Sequence, residues 1–253
     1  MSNRFKLLAT AALALASFGP AQAASTPNGV RNVVLVHGAF ADGSGWKAVS
    51  DILTKDGFAV SIAQPPETSF EDDVAATNRM LDRLDGPAVL VGHSYGGMII
   101  SDAGNNAHVK ALVYVAAFQP EVGDSLGKLQ GSMPSVSNSI APSADGFLYI
   151  DQAHFHADFA ADLPQATSDF MSRSQVGLSV KCAGATVASP AWKTKPSWAI
   201  VAKDDHAINP DLERSMYKRS GAITTEVAGS HVIYISQAKA VAAVIEKAAN
   251  AAK

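Results

Sequence analysis

One pentapeptide constrains this chain more than any other feature: Gly92-His93-Ser94-Tyr95-Gly96, entered from the apolar run 88–91 and left through Gly97-Met98-Ile99-Ile100. An apolar run that stops at a glycine and gives way to helix-forming residues predicts a strand, a sharp turn and a helix. So tight a turn puts its middle residue into a strained backbone conformation. Glycines two positions before and two after remove the side chains that would collide there. The serine hydroxyl then stands clear at the top of a β-turn-α unit.

The rest of the chain extends that unit. Short apolar runs at 32–37, 58–63, 88–92, 110–116, 197–202 and 222–227 alternate with amphipathic stretches. That pattern predicts an α/β domain with a parallel sheet covered by helices on both faces. The runs are continuous in polarity, as expected where both strand faces are buried. Phe70, Val74, Thr77, Leu81 and Leu84 recur at helical spacing behind a Ser69/Asp72 capping pair, and Ala238, Val241, Ile245 and Ala248 give the last helix one apolar stripe. Residues 118–195, with scattered Gly and Pro, break the rhythm between two neighbouring strands. A structureless loop of that length is unusual in a compact domain, so the segment is predicted to be an inserted, mainly helical cap, with helices near 153–163 and 168–176. The α/β core then comprises 24–117 and 196–253.

Composition narrows the function. A content of 47% hydrophobic and 17% charged residues excludes disordered, collagen-like and coiled-coil chains. The net charge of −3, without a basic run, gives nucleic acid no electrostatic footprint. The single cysteine, Cys182, excludes an internal disulfide and a cysteine-ligated metal. Residues 1–23 carry Arg4 and Lys6, an apolar run over 7–18 and Ala21-Gln22-Ala23, the composition of a secretory signal peptide cleaved after Ala23. The apolar run is shorter than the ~20 residues a membrane span needs. The expected mature protein is therefore exported to the periplasm or medium, with no stable membrane association.

A serine hydroxyl is a weak nucleophile that needs a base within hydrogen-bond reach and a carboxylate to orient the base. Asp204-Asp205 follows the strand at 197–202, and Gly229-Ser230-His231 follows the strand at 222–227. In an open parallel sheet the ends of the strands converge on one crevice, so Ser94, one of the two aspartates and His231 can meet across separations of 111 (205 − 94) and 26 (231 − 205) residues. Two backbone amides are predicted to receive an oxyanion, that of Tyr95 and that of Ala39 in the Gly38-containing loop after the first strand, with Phe40 the nearest alternative to Ala39. The other histidines read as structural: His93 beneath the turn, His37 in its loop, His206 at a rim. His154-Phe155-His156-Ala157-Asp158 resembles part of a metal motif but lacks its remaining ligands, so neither metal nor cofactor is predicted. Phe40 and Trp192 are candidate substrate-binding residues, and Phe147, Tyr149, Phe155 and Phe159 are further aromatics that could line a pocket or form the cap's own core.

Taken together, Val34-Leu35-Val36-His37-Gly38-Ala39-Phe40, Val91-Gly92-His93-Ser94-Tyr95-Gly96-Gly97, Asp205-His206-Ala207-Ile208-Asn209-Pro210 and Gly229-Ser230-His231 resemble the α/β-hydrolases, in particular the compact branch of plant methyl-ester esterases, hydroxynitrile lyases and bacterial esterase-like relatives. The resemblance spans nearly all of residues 30–249. It implies the α/β-hydrolase fold with a mostly parallel six-stranded sheet, and Asp205 as the acid because it stands three before Ile208. It implies a serine hydrolase cleaving small, largely apolar carboxylic esters through an acyl-enzyme on Ser94, with a small-molecule ester as its partner. The lyases of the branch carry a threonine at the position of Gly38 and a lysine at that of Val232, which sets the lyase and the cofactor-free perhydrolase behind the esterase, and the intact nucleophile, acid and base set a non-catalytic ligand-binding relative behind it.

Overall fold

The protein's structure, a computed structural model, describes residues 29–137 and 139–252. The signal segment expected at 1–23 lies outside the described residues. The chain runs through β1 (Asn32–Val36), α1 (Lys47–Lys55), β2 (Ala59–Ala63), α2 (Phe70–Leu81), β3 (Ala88–Ser94), α3 (Gly96–Ala103) and β4 (Val109–Ala117). It leaves the sheet for α4 (Leu126–Ser132), β5 (Ile140–Pro142), β6 (Phe147–Ile150), α5 (Phe155–Phe159), α6 (Gln165–Arg173), β7 (Leu178–Ser179) and α7 (Val180–Gly184). It returns with β8 (Ser197–Ala202), α8 (Pro210–Ser220), β9 (Ile223–Val227), α9 (Ile233–Ser236) and α10 (Ala238–Ala251).

The main sheet has six strands in the order β2-β1-β3-β4-β8-β9, every neighbouring pair parallel. Continuous apolar runs produce this because helices cover both faces: β1, β3 and β8 are buried at every residue, whereas the edge strands β2 and β9 are largely half-buried or exposed. The helix α10 packs beside α1 and over β3, β4 and β8, while α2 and α3 pack on each other. Ser69 caps α2 as its spacing predicted, its Oγ accepting from the Asp72 amide at 3.1 Å.

The strand order reverses between β1 and β3, which places a topological switch point there. In the β1/β3 register Val36 stands opposite Gly92, so the loop after β1 and the turn after β3 leave the sheet side by side. The cap differs from expectation in one respect. Its helices α5 and α6 lie within or close to the predicted spans, but a three-stranded antiparallel sheet, β5-β6-β7, stands among them. Strands of two to four residues are too short to leave a period in the sequence, so the sheet was not foreseen.

Candidate active site

Ser94 closes β3 with φ +53°, the left-handed conformation the turn demands, and Tyr95 caps the N-terminus of α3 immediately after it. Gly92 is required here because a Cβ on it would stand 2.5 Å from the Gly96 carbonyl oxygen. The serine side chain is nearly buried, and its Oγ lies 2.8 Å from His231 Nε2. His231 Nδ1 donates to Asp205 Oδ2 at 2.6 Å. The other oxygen, Asp205 Oδ1, accepts from the amides of Ala207 and Ile208 at 2.7 and 2.9 Å, so the turn after β8 holds the carboxylate rigidly.

The structure separates the two aspartates. Asp204 Oδ2 accepts from the Gly229 amide at 3.0 Å and ties the loop before His231 to β8, whereas Asp205 meets the imidazole. It also separates Ala39 from Phe40: the Phe40 amide is taken by the Val176 carbonyl at 3.2 Å. The Ala39 amide makes no such bond among the described residues. Tyr95 opens α3, and the first amides of a helix have no partner within it. Ala39, Tyr95, Ser94 and His231 line one cavity of about 470 Å3. Such an arrangement can activate an oxygen nucleophile and receive negative charge a few ångströms away.

The cavity wall is mostly apolar. Ile208 comes from the core, Phe118 from the junction just after β4, and Leu126, Ile140, Leu148, Phe159 and Leu178 from the cap. Of the aromatics named from the sequence, Phe40 and Phe159 line it; Phe159 also packs at a tilt against His231, 4.9 Å between centroids. Trp192 does not reach the cavity. Its indole donates to the Pro120 carbonyl at 2.7 Å, tying the end of the cap to its beginning, so the structure corrects that expectation. Phe147, Tyr149 and Phe155 lie outside as well, Phe155 buried against Phe159. A second cleft of about 350 Å3 shares Phe40 but does not include Ser94.

The remaining histidines support the frame. His93 Nε2 donates to the His231 carbonyl at 2.9 Å, and its ring packs at a tilt against His231 and Tyr234. Burial, reinforced by the charge of His231, pulls the His93 pKa well below the usual histidine value, so its one proton stays on Nε2 and fixes the backbone of His231. His37 Nδ1 donates to the Gly38 carbonyl at 3.0 Å and faces Glu67 at 3.5 Å. His206 Nδ1 donates to the Ala157 carbonyl. In the cap, His156 pairs with Ser168 and His154 faces Asp151, and among the described residues no group of three or more His, Cys, Asp or Glu side chains could hold a metal. No described helix is long and apolar enough to cross a membrane.

Two supports were not read from the sequence. Tyr95 Oη donates to Asp73 Oδ2 at 2.6 Å, and the Glu67 amide donates to Asp73 Oδ1 at 2.7 Å, so a buried carboxyl on α2 ties the residue after Ser94 to the loop beside His37. Glu213 on α8 lies buried behind Asp205. Both acids stand in the first turn of a helix, where a sequence suggests only a favourable meeting with the helix dipole.

A parallel sheet with a serine on the turn after its third strand, and an acid and a histidine after its last two, defines an α/β-hydrolase. The alpha/beta hydrolase family profile matches residues 33–244, and the chain belongs to that family. A carbendazim hydrolyzing esterase of Nocardioides sp. (strain SG-4G) is 36% identical over 110 residues, a stretch covering 38% of this chain and 45% of that enzyme. The match thus spans less than half of that curated relative. Among solved structures, an extracellular alpha/beta-hydrolase from a Paenibacillus species, described as sharing homology with tobacco salicylic acid binding protein 2, superposes with a TM-score of 0.73 at 18% identity, covering 86% of this chain and 98% of its own. A pyrethroid hydrolase from Sphingobium faniae JZ-2 superposes with a TM-score of 0.72 at 23% identity, covering 88% and 98%.

Proposed function

We propose that this protein is an exported serine hydrolase that cleaves small, largely apolar carboxylic esters through an acyl-enzyme on Ser94. The observation that carries the reading is the unbroken chain of hydrogen bonds from Ser94 Oγ through His231 to Asp205, opening into an apolar cavity. The relative named an esterase supports the ester class, and the composition of residues 1–23 supports export.

In this mechanism Ser94 Oγ attacks the ester carbonyl carbon while His231 Nε2 takes the hydroxyl proton. The oxyanion of the tetrahedral intermediate accepts from the amides of Ala39 and Tyr95. Collapse expels the alcohol, which leaves with the proton from His231. Water then repeats the sequence on the acyl-serine, releasing the acid and restoring Ser94. Asp205 holds the imidazole with its proton on Nδ1 and stabilises the imidazolium.

The lyase reading fits the site less well. A Cβ on Gly38 would stand 2.5 Å from Ser94 Cβ and 2.8 Å from the His93 carbonyl oxygen, which leaves no room for the threonine of that branch. Val232 is fully buried, in a place that would strip water from a lysine ammonium.

The test is a burst and labelling experiment on the mature protein, with p-nitrophenyl acetate and butyrate and then a fluorophosphonate. A covalent adduct on Ser94 together with turnover is expected. Ser94→Ala should abolish labelling and lower kcat by ~10^3-fold or more, Asp205→Asn by ~10^4-fold, and Asp204→Asn far less. No adduct and no turnover in folded protein overturns the reading. An Asp205→Asn variant as active as wild type, beside an inactive Asp204→Asn, reverses the choice of acid.

A further inference from the structure

Behind Asp205 lies a second carboxyl that the serine hydrolase mechanism does not use. Glu213, in the first turn of α8, is fully buried. Its Oε2 accepts from the Ala202 amide at the end of β8, at 3.2 Å, and no N–H or O–H donor reaches Oε1. Asp205 is the group against which that carboxyl packs. Asp205 is itself surrounded by donors: the amides of Ala207 and Ile208 on Oδ1 and the His231 imidazole on Oδ2.

Two ionised carboxylates cannot share so dry a space without a cation between them. The groups facing Glu213 supply none. Arg214, its neighbour on α8, turns its guanidinium outward to Glu226 and Asp211. The Tyr217 hydroxyl donates to the Ala117 carbonyl and accepts from the Ala117 amide, so it has no proton for Glu213. His231 gives its Nδ1 proton to Asp205. A carboxyl oxygen that accepts nothing, in a buried site with a charged carboxylate beside it, is an oxygen that carries the proton.

We propose that Glu213 is a positioning residue of this site, held as a neutral acid whose Oε1–H donates to the Asp205 carboxylate while Oε2 anchors the end of β8. Burial, and next the charge of Asp205, push the Glu213 pKa well above the usual carboxylate range, in keeping with this placement. The consequence is mechanical and electrostatic. Asp205 gains a further donor, so its orientation does not depend on the loop after β8 alone, and α8 is coupled to the geometry of the base. The inference rests on the proposed serine hydrolase reading, but the protonation of Glu213 can be measured without turnover.

The test compares wild type, Glu213→Gln and Glu213→Leu. In infrared difference spectra at mildly alkaline pH, taken also in a Ser94→Ala background, the carbonyl band of a protonated carboxyl should be present and should vanish in Glu213→Gln. With p-nitrophenyl butyrate, Glu213→Leu should lower kcat about 10- to 100-fold with KM little changed. Glu213→Gln presents an amide N–H to Asp205 and a carbonyl to the Ala202 amide, and should rescue most of that loss while leaving the midpoint of the acidic limb of kcat/KM in place. Absence of the band overturns the proposal. So does a Glu213→Gln acidic limb shifted by about a unit or more, because that shift marks the removal of a negative charge. Failure of Ser94 to label or turn over esters rejects the hydrolase reading alone, since the infrared band still decides the state of Glu213. If Glu213→Leu does not fold, the band and the Glu213→Gln profile still decide.

Discussion

Ser94 holds a backbone conformation that costs a residue with a side chain on the order of 1–2 kcal/mol, and the surrounding turn imposes it by close contact. Gly38 is the tightest of those contacts on the oxyanion side. Its missing Cβ would meet Ser94 Cβ, the His93 carbonyl and the unpartnered His93 Nδ1, and none of these can retreat without moving the elbow. Gly38→Ala should therefore destabilise the fold by ~1–3 kcal/mol, as overpacking does, and lower kcat more than it raises KM. A Gly38→Ala enzyme with unchanged melting temperature and unchanged burst amplitude would show that the contact is soft. At this scale the sequence revealed the residues whose position is dictated by local chemistry. Ser94 is marked by its flanking glycines, and His231 and Asp205 by their places after strands. Asp73 and Glu213 stayed hidden because each reads as an ordinary first-turn acid; only the packing of α2 and α8 onto the sheet decides that they are buried.

At the scale of elements, the site hangs from two loops that meet at the switch point, and the segment between β2 and α2 braces one of them. Glu67 in that segment is fully buried with φ +58°, its carboxyl facing His37 while its amide is held by Asp73. Burial raises the Glu67 pKa to about 7, the nearby His37 offsetting only part of the effect. For His37, burial acts downward, but the hydrogen bond and charge of Glu67 outweigh it and raise its pKa. Between pH 4.5, the ordinary glutamate value, and about 7 the folded chain thus binds more protons here than the unfolded chain. Stability from this pair is full below that window and is lost as pH rises through it. Glu67→Gln removes the ionisation, so its melting temperature should gain on that of wild type as pH increases from about 5 to 8. Parallel curves for the two proteins would assign the pair no such role. The same scale explains what the sequence could not convey about the architecture. The six main strands are five residues or longer, and the four inner ones, β1, β3, β4 and β8, are buried almost throughout, which leaves continuous apolar runs. The cap strands β5 to β7 are only two to four residues long, too short to leave a period, and their pairing comes from tertiary contact.

At the scale of the whole molecule, the cavity exists only where cap and core meet. Ser94, His231 and both proposed oxyanion amides belong to the core, while Leu126, Ile140, Leu148, Phe159 and Leu178 close the cavity from the cap. Phe155, Phe159, Leu178, Cys182 and Val187 of the cap are buried in the same hydrophobic cluster as β1, β3 and β4. A cap that buries Phe155, Phe159 and Leu178 in the core cannot open as a free lid without exposing them to water, at about 25 cal/mol for each Å2 of apolar surface. The cap and core should therefore unfold as one cooperative unit. Cys182 makes this testable, because it is the only thiol and sits in the cap helix α7. Burial pushes its pKa up to about 12, which keeps the thiol unreactive while the cap is docked. In a Trp192→Phe background, which removes the one cap tryptophan, Trp46 and Trp198 are buried in the core and report its unfolding through their emission. In a urea series, pulse labelling of Cys182 and tryptophan emission should give the same midpoint. Labelling at clearly lower urea, with the emission still native, would mean that the cap opens on its own, and the cavity would then be a gated site rather than a preformed one.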